Sequence, residues 1–341
     1  MHKLSPASYE AFCQDYALDV PAAYNFAFDT FDAIAQETPD RLALIHVDTA
    51  GYRREYPFSF LKEASCRLAN ALAAQGIAKG DRVMLILYRR FEFWVAMLAL
   101  HRLGAVGVPS PNLLTAKDIG YRVAAGNLKA VIAEDTVVAT VQDAQQQLQA
   151  EGSGFAHLVQ VGSSPLPEGW VSYEQMTANA SPDYPRPEDA PGGEDPLLIF
   201  FTSGTTGQPK MVEHIHTYPL GHLMTGVYWH DLAPGDIHLT LADTGWGKAV
   251  WGKMYGQWAA GATVFVYDFR GKFDPAALLS VLASHKVTAF CAPPTVYRFL
   301  IRQDLSQYDL SSLRHCTTAG ELLNTSVFED WKNLTGLPIY E

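Results

Sequence analysis

Five apolar residues in a row, Leu197-Leu198-Ile199-Phe200-Phe201, run straight into Thr202-Ser203-Gly204-Thr205-Thr206-Gly207-Gln208-Pro209-Lys210. That junction limits the folds open to this chain more than anything else in it. The apolar run reads as a buried strand. A Gly/Ser/Thr loop leaving such a strand exposes backbone N–H groups with no side chain in the way. A nest of N–H dipoles, joined by hydroxyls and one lysine, suits a polyphosphate. Pro209 fixes its own φ and helps to aim Lys210. Met211-Val212-Glu213 then reads as a returning strand. The candidate phosphate ligands are therefore Thr202, Ser203, Gly204, Thr205, Thr206, Gly207 and Lys210.

This loop is not the common ATP-binding P-loop, which is spelled Gly-x-x-x-x-Gly-Lys-Ser/Thr and opens a helix. A closer spelling occurs at Gly247-Lys248-Ala249-Val250-Trp251-Gly252-Lys253. It fails at Met254, where that motif needs a hydroxyl, and its Val250 and Trp251 would block close phosphate approach. A bare Gly-x-x-Gly would read as a polar surface turn; the full string through Pro209-Lys210 is more specific than that.

Composition narrows the classes. The chain has 341 residues, enough for two or more folding units, and 48% of them are hydrophobic, so core material is ample. The net charge of −11 and the lack of a basic run argue against a nucleic-acid surface. An anionic ligand must then be held by local dipoles and a few cations. No run of about 18 apolar residues predicts a membrane span, and Met1–Ser8 has no signal-like apolar core. Cys13, Cys66, Cys291 and Cys316 lie far apart without metal-ligand spacing, as expected of reduced thiols in a cytoplasmic protein. His214, His216 and His222 are spaced like ligands but have no acidic partner pattern, so no metal site is expected.

Strand and helix patterns alternate along most of the chain. Strands are predicted at 42–47, 52–56, 83–87, 104–109, 130–133, 157–161 and 197–201. Helices are predicted at 26–36, 91–103, 115–125 and 136–149, with one more capped by Ser59 and stopped by Gly76. A second series follows: helices 216–229, 275–285, 294–302 and 325–335, and strands 237–241, 262–267, 287–290, 313–318 and 337–341. This alternation predicts an α/β fold with right-handed crossovers and mostly parallel, doubly wound sheets. Residues 162–196, with seven prolines, break the pattern and read as a long connection.

Three further segments follow strand ends, where open α/β sheets place ligands. Ala242-Asp243-Thr244-Gly245-Trp246 follows strand 237–241. Next comes Gly247–Trp258, where aromatics stand among glycines. Glycine beside an aromatic wall leaves room for a small apolar acyl group, and Lys248 or Lys253 could meet a carboxylate, though each is also a normal snorkelling lysine. Thr317-Thr318-Ala319-Gly320-Glu321 follows strand 313–318, and its small residues would let a flat ring approach the backbone. Cys291 ends another strand near the same edge, where packing is the simpler role.

The string 201–214, with Asp243–Trp246, Ala292–Arg298 and Ala319–Leu323, resembles the adenylate-forming superfamily, and within it the medium-chain acyl-CoA synthetase branch related to acetyl-CoA synthetases. The resemblance covers nearly the whole chain. It implies the N-terminal domain of that fold, in two doubly wound subdomains. Residues 1–57 with 213–341 would carry the acyl and adenine pockets, and 58–212 would end in the phosphate loop. It implies that Thr202–Lys210 hold the ATP triphosphate, that Ala319, Gly320 and Glu321 border the adenine, and that Trp246 contacts the acyl-adenylate. Trp229, Lys248, Trp251 and Cys291 resemble acyl-pocket positions more weakly. ATP/AMP, Mg²⁺, coenzyme A and a small carboxylic acid are the implied ligands; a homo-oligomer is left open. The family's magnesium-binding glutamate, ribose aspartate and adenylation lysine have no counterpart in these residues. A chain truncated before its β-barrel completes, lacking the small C-terminal domain and inactive alone, is therefore expected. An aryl- or acetyl-CoA ligase, or a truncated non-catalytic nucleotide-binding module, are the alternatives.

Overall fold

The computed structural model describes residues 8–202 and 207–341. Its strands are β1 (Leu42–Asp48), β2 (Arg53–Pro57), β3 (Arg82–Ile86), β4 (Val106–Pro109), β5 (Ala130–Glu134), β6 (His157–Val161), β7 (Trp170–Ser172), β8 (Pro196–Thr202), β9 (Lys210–Ile215), β10 (Ile237–Thr240), β11 (Thr263–Asp268), β12 (Ala289–Cys291), β13 (His315–Thr317) and β14 (Ile339–Tyr340). They form two seven-stranded sheets, ordered β7-β6-β5-β3-β4-β8-β9 and β14-β13-β12-β10-β11-β1-β2. Pairing is parallel except at one edge of each sheet, where β9 runs against β8 and β2 against β1. The α/β architecture is the one the alternation of patterns predicts. The division proposed at 212/213 falls inside β9.

Alternate residues of each strand bury on opposite faces, as the two-residue period of a strand requires. Val83 and Leu85 of β3 join the same core as Leu44, Val264 and Val266 of the other sheet. Met84 and Ile86 face outward into a second core, and Ile45 and Phe265 into a third. The central core also takes the helices Phe58–Ala74 and Glu92–Leu103, so the layers run helix, sheet, helix, sheet, helix. Every residue of Glu92–Leu103 is buried, which explains a helix pattern that is apolar nearly all round.

Three local expectations need correction. Ser59 does not cap its helix: Phe58 occupies the first turn, and the orphan amides of Phe58 and Ser59 are taken by the carbonyls of Arg41 and Pro39 at 2.9 and 3.1 Å. The 162–196 connection holds β7 and a short helix, Tyr173–Ala178. The stretch after Trp246 is helical, as Gly247–Gly252 and Tyr255–Ala259. Its glycines do more than leave space beside aromatics. A Cβ on Gly226 would lie 2.2 Å from the Gly256 carbonyl oxygen, and one on Gly256 would lie 2.4 Å from that of His222. Glycine here allows two helical turns to touch backbone to backbone.

Candidate active site

The site candidates gather where parallel strands of both sheets end. Among the phosphate-loop residues, Thr202 closes β8 and Lys210 opens β9, and the two are paired in register. Both are exposed, as is Gly207, whose φ of +91° is open to glycine and strained for other residues. Ser203, Gly204, Thr205 and Thr206 lie outside the described residues. The antiparallel return of β9 confirms a strand after the loop, so Lys210 is delivered by strand geometry.

Across the gap, the Asp243–Trp246 turn follows β10. Trp246 is 58% exposed, which keeps its ring available at the mouth. It leads directly into the helix Gly247–Gly252, which carries Lys248 and Trp251. A Cβ on Gly247 would sit 3.9 Å from the Phe200 ring. This helix therefore starts against β8, two residues before the loop.

Behind Trp246 the candidate acyl residues come together. The Trp229 and Trp251 rings lie 5.8 Å apart, and His230 lies 4.4 Å from Trp229 and 6.3 Å from Trp251. Thr240, Cys291 and Thr317 stand in register at the ends of three adjacent strands, and Thr317 is bonded to His230 of this group. Cys291 is fully buried, and desolvation pushes its thiol up, with Lys248 opposing. Lys248 is itself held below its usual range, by burial first. Its Nζ donates to the Ala319 carbonyl at 3.0 Å, tying the acyl side to the adenine-side turn. There Gly320 has φ +102° with open space around it, and Glu321 Oε2 accepts from Thr295 Oγ1 at 2.6 Å. Lys253 is different: it is 3% exposed and its ammonium donates to the Ala242 carbonyl, so it does not reach a substrate carboxylate.

Sequence reasoning missed the histidines. His230 is buried, with Nδ1 3.1 Å from Thr317 Oγ1, and its ring centroid is 4.3 Å from that of His238. Burial holds both well below the ordinary imidazole range, His238 at about 3. They are neutral at pH 7, so the groups gathered around Trp229 and Trp251 are aromatic and uncharged apart from Lys248. A lone histidine in a helix end or strand gives no signal of this; only its position two residues before Thr240 hints at it. Among the described residues no group of three or more His, Cys, Asp or Glu could hold a metal ion, and no helix is long and apolar enough to cross a membrane.

Comparison with known proteins decides the family. The family model for AMP-binding enzymes matches residues 31–341. The chain belongs to the AMP-binding enzyme family. Among the curated relatives of this AMP-binding chain, human mitochondrial acyl-coenzyme A synthetase ACSM3 is 35% identical over 98% of the chain and 57% of the relative. Human mitochondrial ACSM4 is 38% identical over 94% and 55%. The chain thus spans a little over half the length of the relatives it matches. The crystal structure of the anthranilate CoA ligase AuaEII in complex with anthranoyl-AMP superimposes with a TM-score of 0.82, at 27% identity over 94% of this chain and 60% of that one.

Proposed function

We propose that this AMP-binding chain is the acyl-adenylate-forming part of an AMP-forming acyl-CoA synthetase acting on short- or medium-chain fatty acids. The observation that carries the reading is the closeness of Gly247 to Phe200, whose ring a Cβ on Gly247 would meet at 3.9 Å; it sets the candidate acyl-side helix beside the strand that leads into the candidate phosphate loop. One nucleotide can then reach the loop through its phosphates while its acyl partner lies against Trp246, Trp251 and Trp229.

The chemistry asks little of a base. A carboxylate is already ionised at pH 7; its oxygen attacks the α-phosphorus of ATP, the bond to the pyrophosphate oxygen breaks, and acyl-AMP remains. The thiol of CoA then attacks the acyl carbon, losing its proton to solvent, and AMP leaves. What the protein must supply is alignment and charge neutralisation on the phosphates. In this reading Ser203, Thr205, Thr206 and Lys210 take the β- and γ-phosphates. Gly204 and Gly207 admit the backbone, Thr202 orients the loop, and Ala319, Gly320 and Glu321 border the adenine. Mg²⁺ would be held mainly by the ATP phosphates and water, and would add charge neutralisation there.

Turnover is assigned to the whole protein, since the chain spans only 57% and 55% of the relatives' length. The test is pyrophosphate release by the protein expressed from its complete gene, across acids of two to ten carbons. Release that peaks at four to eight carbons supports the reading, and no release with any acid rejects it. The aromatic walls and the anthranoyl-AMP held by AuaEII favour a second reading, an aryl acid; benzoate and anthranilate in the same assay separate the two.

A further inference from the structure

The segment from Ala242 to Lys253 is a closed loop. At its end, the Lys253 ammonium returns to the Ala242 carbonyl at its beginning. Trp246, Lys248 and Trp251 all lie inside that loop. Lys253 is 3% exposed and lies over the Trp94 ring, 5.8 Å from its centre, while its carbonyl accepts from Trp94 Nε1 at 2.8 Å. Among the described residues no carboxylate is bonded to it, and burial lowers its pKa to about 7.

A second cation enters from the other sheet. Arg89 follows β3, is 6% exposed, and has φ +51°, a left-handed conformation that a non-glycine residue adopts only at a cost. Its guanidinium meets Asp243 Oδ1 through Nε at 2.8 Å and Nη2 at 2.6 Å, and Nη1 donates to the Phe269 carbonyl at 2.6 Å. The Phe269 and Tyr88 ring centres lie 3.7 and 4.4 Å from its carbon. Its backbone N–H donates to Thr244 Oγ1, which in turn donates to the Leu87 carbonyl. Gly245 presses on the Ser110-Pro111 backbone, where a Cβ would lie 2.3 Å from the Pro111 nitrogen. The turn before Trp246 is thus built as much by the phosphate-loop sheet as by its own.

We infer that Arg89 and Lys253 are positioning residues: they clamp the 242–253 loop, set where Trp246 and Trp251 stand, and so select the length and bulk of the acyl chain. The inference rests on the acyl-adenylate reading for its chemistry and not for its geometry. Among the described residues neither side chain is bonded to Thr202, Gly207 or Lys210, so loosening the clamp should change acyl choice before it changes ATP use. A buried donor group fixed at several points holds a turn in one place because every alternative leaves donors or carbonyls unpaired.

Two measurements test it. In residues 1–341 labelled with 5-fluorotryptophan, with lines assigned by Trp246→Phe and Trp251→Phe, the ¹⁹F spectra of Lys253→Met, Arg89→Met and Arg89→Lys are compared. The expected result is a shift or broadening of the Trp246 and Trp251 lines in both methionine variants, partly restored in Arg89→Lys. Trp170 and Trp331, in the two outer cores, stay unchanged. In the protein from the complete gene, Lys253→Met should change the kcat/KM ratio of butyrate to octanoate at least about tenfold, with KM for ATP within about twofold. Unmoved Trp246 and Trp251 lines, or an unchanged ratio in an active variant, would overturn the clamp. Loss of all four lines in both methionine variants would also overturn it, in favour of a general structural role. If the unaltered protein adenylates no acid, the functional reading fails and the spectra alone judge the clamp.

Discussion

At the β8–β9 end of the site, Thr202 and Lys210, at the facing ends of two strands, and Gly207 between them stand in solvent. Around Trp229 and Trp251, His230, His238, Thr240, Cys291 and Thr317 are all buried. In the acyl-adenylate reading, the difference follows from what each end would hold. A phosphate is bound by donors, and a dozen consecutive residues can present enough of them. An apolar chain is bound by shape, which has to be assembled from walls that are themselves packed. The first end should therefore tolerate substitution structurally and fail chemically; the second should do the reverse.

The sharpest way to break that contrast is Lys210→Ala. Lys210 is exposed, so the melting temperature should not move, while pyrophosphate release by the whole protein should fall about 100- to 1000-fold, the range for losing a charge-stabilising donor. Unchanged release would remove Lys210 from the phosphates. On the packed side, Gly226→Ala sets a methyl 2.2 Å from the Gly256 carbonyl and should cost about 3 kcal/mol, read from urea unfolding, because backbone cannot step aside.

Acid tests both ends at once. His216, which follows β9, is fully buried with neither ring nitrogen bonded, and burial lowers it to about 4; His238 on β10 lies at about 3. The folded state holds these rings neutral, while the unfolded chain takes up protons below about pH 6.5. Stability is therefore complete above that pH. It is lost as pH falls toward 4 for His216 and toward 3 for His238, by about 3 kcal/mol or more for each ring. The urea midpoint should drop between pH 7.5 and 5, and His216→Leu should flatten that slope. The smallest effect is expected from Trp251→Ala, a roughly tenfold shift in preference toward bulkier acids with KM for ATP unchanged, read by competing acids in the pyrophosphate assay.

What the sequence reveals follows the same divide. The candidate phosphate loop stands out because its proposed ligands are contiguous, and the buried strands because apolar runs of five are hard to place elsewhere. The helices Gly247–Gly252 and Tyr255–Ala259 are not legible, since glycine signals a break and here serves close helix contact. Ser59 reads as a cap, but the helix already begins at Phe58, and the carbonyls of Arg41 and Pro39 take the first amides of that turn. Arg89 gives no signal at all: its partners Asp243 and Phe269 lie more than 150 residues away. The acyl wall draws on residues from 229 to 317, so its members are visible singly and its shape is not.

The most direct measurement is a crystal structure of the whole protein with a non-hydrolysable alkyl-adenylate and pyrophosphate. The expected map shows pyrophosphate on the 202–210 loop, the adenine beside Gly320, and the alkyl chain between Trp246 and the Trp229–Trp251 pair. An adenylate bound with its alkyl chain away from the 242–253 loop, or a loop left empty while nucleotide sits elsewhere, would contradict the arrangement.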